Sequence, residues 1–388
     1  MPRLSLLFLA AVLSSGCTSI GGESFGWALT GADPSHVGTG GVAIRWRQRI
    51  TPPYEGAYRP VERAIATVDP PRDRVYVGST SGMLYAMNSG GRRIYRYDAG
   101  GAVESKPLLD SEENVLYFGT EQGDLHALRA GRGELLWRED AGGPIRQTPL
   151  AYRDAIYTVT DTDVVTAFAK ESGEVLWSYE RDAPEGFSIT SRAGLVRHLN
   201  MIVTGYTDGA VVALNASDGS VVWERDTSVE IDDLAPGRPE FVDVDTTPVF
   251  FEDSFYVASF TGGLFRLEAA SGTIEYRDET RKGIIGMSRV RDLLVLASAD
   301  DGIVCITLPD HREVWRHELT RGAPSVPVVE SGFVFVGESV GSFLVLSLDT
   351  GTERSRFDAG HGFSAPPAVS HGRGFVVSNG GSLFAFGL

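Results

Sequence analysis

Cysteine is almost absent from these 388 residues. Cys17 and Cys305 are the only two, so no disulfide framework staples the fold, and a single bridge would have to join the extreme N-terminus to a distant interior position. Basic residues are in deficit, 35 Lys and Arg against 51 Asp and Glu, which leaves a formal charge of −16. A phosphate backbone rewards clustered cations, so this balance argues against a nucleic-acid partner. Long apolar runs are missing as well: the longest, residues 4–13, has ten apolar-dominated positions, whereas a helix needs about 20 to span a bilayer. His-Glu-x-x-His, Cys-x-x-Cys and Gly-x-Gly-x-x-Gly segments do not occur, and the seven histidines are scattered. No catalytic residue, metal ligand or cofactor is therefore assigned.

What the chain does have is globular composition, with 42 % hydrophobic and 22 % charged residues, together with 46 glycines and 19 prolines in no Gly-X-Y period. That combination predicts a sizeable core and many turns between short strands, hence an all-β fold. At the N-terminus Arg3 precedes the apolar segment and Ser14-Ser15-Gly16-Cys17 follows it, the charge, apolar core and small-residue order of a secretory signal. The segment resembles a bacterial lipoprotein signal, which implies residues 1–16 as a signal peptide and Cys17 as the lipidated first residue of the mature chain. Ser14 stands where such signals usually carry leucine, with Leu13 one step further back. The Gly-rich stretch to Gly41 is expected to be a flexible tether, residues 17–41, ahead of a body spanning residues 42–388.

One unit recurs along that body. Its second copy reads Leu116-Tyr117-Phe118-Gly119-Thr120, then Gly123-Asp124-Leu125-His126-Ala127-Leu128, then Gly133-Glu134-Leu135-Leu136-Trp137. The closing positions are Trp46, Tyr95, Trp137, Trp177, Trp223, Tyr276, Trp315 and Ser355, separated by 49, 42, 40, 46, 53, 39 and 40 residues. These are the lengths of four-stranded propeller blades. The last strand set, Gly374–Ser378 and Ser382–Phe386, lacks a closing strand, while Val42–Trp46 is a closing strand without a blade. Joining them predicts an eight-bladed β-propeller closed by the N-terminal strand, with tryptophans packed between blades and no open sheet edge at the seam.

These repeats resemble those of pyrroloquinoline-quinone enzymes and of the BamB family of outer-membrane β-barrel assembly lipoproteins. Phe241-Val242-Asp243-Val244-Asp245-Thr246-Thr247-Pro248-Val249, which follows the long insertion 224–240, is similar to a segment characteristic of BamB. The resemblance implies a non-catalytic scaffold on the outer membrane, facing the periplasm, that docks a POTRA domain of the barrel protein BamA. It implies Asp243 and Asp245 as docking residues together with an upstream Leu-x-Leu-Arg segment, matched here by Phe187-Ser188-Ile189-Thr190. Phe187 and Ile189 keep the apolar anchors, Thr190 replaces the arginine, and Arg192 is the cation two residues on. Two other readings of the aspartates stand beside this one. The first is capping of turn backbone. The second is an Asp-x-Asp-x-Thr phosphotransferase motif, which needs an α/β crevice that a blade repeat does not supply. A quinone-dependent oxidoreductase, or a propeller binding some other ligand in its channel, is the alternative that the repeat alone permits.

Overall fold

A computed structural model describes residues 42–52, 61–181, 192–228 and 243–388. Among them, 32 strands form eight four-stranded antiparallel sheets. Seven sheets take their strands in sequence order, whereas the eighth runs Ala43–Arg49, Ser382–Gly387, Arg373–Ser378, Ala368–Ser370. The first strands of successive sheets touch one another around a complete circle, last to first. Each first strand is thus innermost, each fourth strand lies on the rim, and the expected eight-bladed ring is closed by the N-terminal strand. Blades are numbered 1 to 8, starting at Thr67.

Burial explains why the repeat reads as it does. The second strand of blade 2, Val115–Gly119, is buried at every residue because blades sandwich it on both faces, whereas the rim strand Glu134–Asp140 buries only Trp137. The glycine ending the second strand is required by the next blade. A Cβ on Gly119 would lie 2.2 Å from the Ile145 side chain, and one on Gly205 would lie 2.4 Å from Val244. Those contacts arise where the incoming chain passes close enough for the Ile145 and Val244 amides to donate to Thr120 and Tyr206 carbonyls, at 3.0 and 3.1 Å.

The closing tryptophans fill slots between blades, as expected. The indole N–H of Trp137 donates to the Lys170 carbonyl of blade 3 (3.1 Å), that of Trp177 to Ala216 (3.1 Å) and that of Trp223 to Ala269 (3.0 Å). Each ring lies on a glycine of the next blade, for instance Trp223 on Gly272, whose φ is +69° and whose missing Cβ would sit 2.4 Å from the ring. Blade 6 replaces that glycine with His311, also at positive φ (54°), whose imidazole stacks on Tyr276 at 3.7 Å.

One feature of the rim has no counterpart in the sequence reading. In all eight outer strands the register skips the residue immediately before the closing position, for example Leu136 between Leu135 and Trp137. A bulge at the same place in every blade interrupts the free backbone edge that would otherwise invite another strand. Cys305 is fully buried in blade 6, and burial pushes its thiol up to about 12, so it behaves as a small apolar core residue.

Candidate functional site

Antiparallel order puts two kinds of connection on one face of the ring: the turn between second and third strands, and the link from each rim strand to the next inner strand. The link into blade 5 is the longest, and the links into blades 1 and 4 are the next; Arg192, Asp243 and Asp245 stand at the described ends of those into blades 4 and 5. Phe187 and Ile189, like Cys17, lie outside the described residues.

The position four residues ahead of the inner strand is charged in five consecutive blades. It carries Arg63, Glu104, Arg146, Arg192 and Asp245 in blades 1 to 5, but Pro324 and Ser364 in blades 7 and 8. Arg146 pairs with Glu104 (3.3 Å), Glu121 (2.8 Å) and Asp161, which ties blade 2 to blade 3. Arg192 continues the chain. One guanidinium nitrogen donates to the Asp161 carbonyl (2.6 Å), another lies 3.6 Å from the Asp163 carboxylate, and its own carbonyl accepts from the Gln147 amide (2.6 Å). The Thr207 hydroxyl of blade 4 donates to the same Asp163 carboxylate, and the Gly194 amide donates to the Thr247 hydroxyl (2.9 Å), which reaches blade 5.

Asp243 and Asp245 are 4 and 6 % exposed, so they are not the surface charges that an anchor flanked by ions would present. Burial, followed by the neighbouring Asp243 charge, pushes the Asp245 carboxyl up to about 8, against a smaller opposing pull from Arg192. Burial also raises Asp163 above the ordinary carboxylate range, opposed by its Thr207 hydrogen bond and by Arg192. The structure sets Arg192 within electrostatic reach of Asp245 and adds a third carboxylate, Asp163, that sequence reading missed. Asp163 holds φ of 61° in a turn where Gly82, Gly123, Gly209 and Gly381 occupy the same place in other blades. A non-glycine residue kept there, 2 % exposed, is the signal that would have found it.

The arrangement is electrostatic and positional, not catalytic. Thr247 is engaged by Gly194, and the two aspartates lie in the link ahead of a blade, not in an α/β crevice, so the phosphotransferase reading has no structural basis. Gly337-Glu338-Ser339-Val340-Gly341 spells the Gly-x-Ser-x-Gly of hydrolases. It forms a turn between two strands of blade 7, where the Ser339 hydroxyl accepts the Ala323 amide (3.0 Å), and a strand follows in place of the helix that a nucleophile elbow requires. Among the described residues, no group of three or more His, Cys, Asp or Glu is placed to hold a metal ion.

Comparison with known proteins agrees with this picture. The model of the family described as "Outer membrane protein assembly factor BamB" matches residues 110–317 and 301–387. Among curated relatives, the outer membrane protein assembly factor BamB of Shewanella oneidensis is 25 % identical over 71 % of this chain and 69 % of its own length, and that of Escherichia coli is 23 % identical over 80 % and 81 %. Among solved structures, BamB from Moraxella catarrhalis superposes with a TM-score of 0.73 at 21 % identity, covering 89 % of this chain and 100 % of its own. A quinohemoprotein alcohol dehydrogenase from Comamonas testosteroni reaches 0.68 at 14 %, covering 89 % and 76 %. At these identities the structural likenesses speak for the ring alone.

Proposed function

The chain belongs to the outer membrane protein assembly factor BamB family, and from that premise we propose that it is a lipid-anchored scaffold of outer-membrane protein assembly that docks a BamA-like POTRA domain on the face where blades 4 and 5 meet. Membership makes it an assembly factor and not an enzyme. The observation that carries the docking reading is the position of the ionic chain from Glu104 through Arg146, Asp161, Arg192 and Asp163 to the Asp245 link. It holds Arg192 to the ring, and Arg181 is held there by its own pair with Asp208 (2.5 Å). Sites built on rigid elements hold a partner with less entropy lost on binding.

In this reading Phe187 and Ile189 are the apolar contacts, and Arg192, Asp243 and Asp245 order the described part of the same face. Titrating a purified POTRA domain against the protein tests it. Phe187→Ala with Ile189→Ala is expected to weaken binding roughly thirtyfold, the effect of losing about 2 kcal/mol at a central contact, with Tm unchanged. Unchanged affinity in the folded double variant would remove this face from docking.

The anchor is tested separately. A stable hold on a bilayer takes two lipid signals, which a diacylglyceryl group and an amide-linked acyl chain on Cys17 would supply. Cys17→Ser is expected to move the protein from the membrane fraction to the soluble periplasmic fraction, and unchanged fractionation would exclude this anchor.

A further inference from the structure

The rim bulge puts the residue before each closing position on the outer surface, and the blades use that position differently. In blades 2, 3 and 4 this residue and the one before it are both apolar: Leu135 and Leu136, Val175 and Leu176, Val221 and Val222. All six are between 41 and 53 % exposed. Every other blade puts at least one charge into the same pair, as Arg93 in blade 1, Glu275 in blade 5, Glu313 in blade 6, Glu353 with Arg354 in blade 7, and Arg45 in blade 8. Blade 7 shows that the fold does not need apolar side chains there, because its Glu353 and Arg354 sit beside a closing position in the same bulged strand. Three neighbouring blades in a row lack the charge that the others carry, which leaves an apolar arc along one side of the rim.

The surroundings of the arc select its occupant. Glu139, Asp140, Glu180 and Asp226 are exposed along one border and Glu174 along the other. Most nearby cations have partners, Arg138 with Asp124 (2.8 Å), Arg181 with Asp208 (2.5 Å), Arg132 with Glu134 (3.7 Å) and Arg225 with the Gly272 carbonyl (2.9 Å), while Arg129 is exposed beside Glu134. The bulges interrupt the backbone ladder at Leu136, Leu176 and Val222, so the arc offers side chains and not a strand edge. We infer that the rim of blades 2 to 4 is a docking surface for a polypeptide segment that presents apolar side chains bordered by Lys or Arg. Apolar contact supplies the attraction, and the acidic border selects the flanking charge and disfavours an anionic surface. This surface stands independently of the docking face proposed above.

The test imports blade 7's own pair into the arc, as Leu135→Glu with Leu136→Arg and Val175→Glu with Leu176→Arg. Two synthetic peptides with one shared apolar sequence, flanked by lysines in one and by glutamates in the other, are titrated against parent and variant by fluorescence anisotropy. The parent is expected to bind the lysine-flanked peptide at least tenfold more tightly than the glutamate-flanked one, and the variant to lose at least tenfold toward the lysine-flanked peptide at unchanged Tm. Equal binding of both peptides by the parent, or undiminished binding by the folded variant, would overturn the inference. Sedimentation of the parent alone closes the remaining route: a dimer that the variant abolishes would assign the arc to a second copy of the chain and likewise overturn it.

Discussion

Removal of residues 42–50 is expected to convert the protein from a soluble ring into an aggregating species, an effect far larger than terminal trimming usually has. Ala43–Arg49 is the fourth strand of blade 8, paired with Ser382–Gly387 over six residue pairs. Its loss bares the whole edge of that strand, and Phe384 and Phe386, 2 and 1 % exposed, lie in it. It also empties the slot between blades 8 and 1, where the Trp46 indole donates to the Ser89 carbonyl (2.7 Å) and its ring lies on Gly91, and it removes the buried residues Val42 and Ile50. Truncating one such large core side chain costs about 3–5 kcal/mol, and a whole domain is stable by only about 5–15 kcal/mol. Losing Trp46 together with Val42, Ile50 and a strand's hydrogen bonds therefore consumes most of that margin. Trp46→Ala, which keeps the strand, is the graded control: a lowered Tm with a soluble monomer by size exclusion. A truncated chain that stayed monomeric with parental Tm would show that the ring holds without its seam.

The ring was legible in the sequence because each blade solves the same packing problem with the same residues. A glycine is needed where the next blade crosses, as at Gly119 and Gly205, and a tryptophan is needed in the slot, as at Trp137 and Trp223. The unpaired ends were legible for the same reason, since a strand without a blade and a blade without a strand leave one solution. The bulges were not, because Leu135-Leu136-Trp137 has the same letters whether Leu136 is paired or skipped. The site was half legible. Asp243 and Asp245 were marked by the likeness of their segment to the family's, and Arg192 as the cation beside the matched upstream stretch, but such a likeness says nothing of depth, and the two carboxylates are only 4 and 6 % exposed. Asp163 comes from another blade, and only its occupation of a glycine turn distinguishes it in the sequence. Tertiary burial of this kind has no local pattern.

Asp245→Asn is expected to flatten the protein's loss of stability between about pH 4 and pH 8. The carboxyl is pushed up to about 8 by burial and by Asp243, from an ordinary value of 3.8. Between those two values the folded state holds a proton that the unfolded chain has released, so stability is greatest below the ordinary carboxylate value and falls as pH rises through about 8. Each pH unit inside that window removes up to about 1.4 kcal/mol. Asparagine keeps the shape of the neutral acid and cannot ionise, so the variant should match the parent near pH 3.5, below both values, and exceed it by a growing margin from about pH 4 to about pH 8, read as the difference in denaturant midpoint at pH 3.5, 6 and 8.5. The groups facing Asp245 set the sign: Asp243 and Asp163 oppose its ionisation, and Arg192, whose guanidinium is shared with Asp163 and the Asp161 carbonyl, only partly offsets them. Glu338 on the same face shows the opposite solution. It is 1 % exposed, and although burial alone would raise it, amide donors from Ser342 (2.9 Å), Thr320 (3.0 Å) and Arg321 (3.3 Å) hold it below its ordinary value. Glu338→Gln should therefore lose stability where Asp245→Asn gains it, and the two variants run side by side at pH 8.5 separate a general effect of removing negative charge from the specific burden at Asp245. Equal shifts in both variants, or a parental slope retained by Asp245→Asn, would place the pH dependence elsewhere on this strongly acidic chain. A cation brought to this face by a partner would ease the ionisation of Asp245, so the residue that weakens the free ring above neutral pH is also the one placed to reward a basic contact.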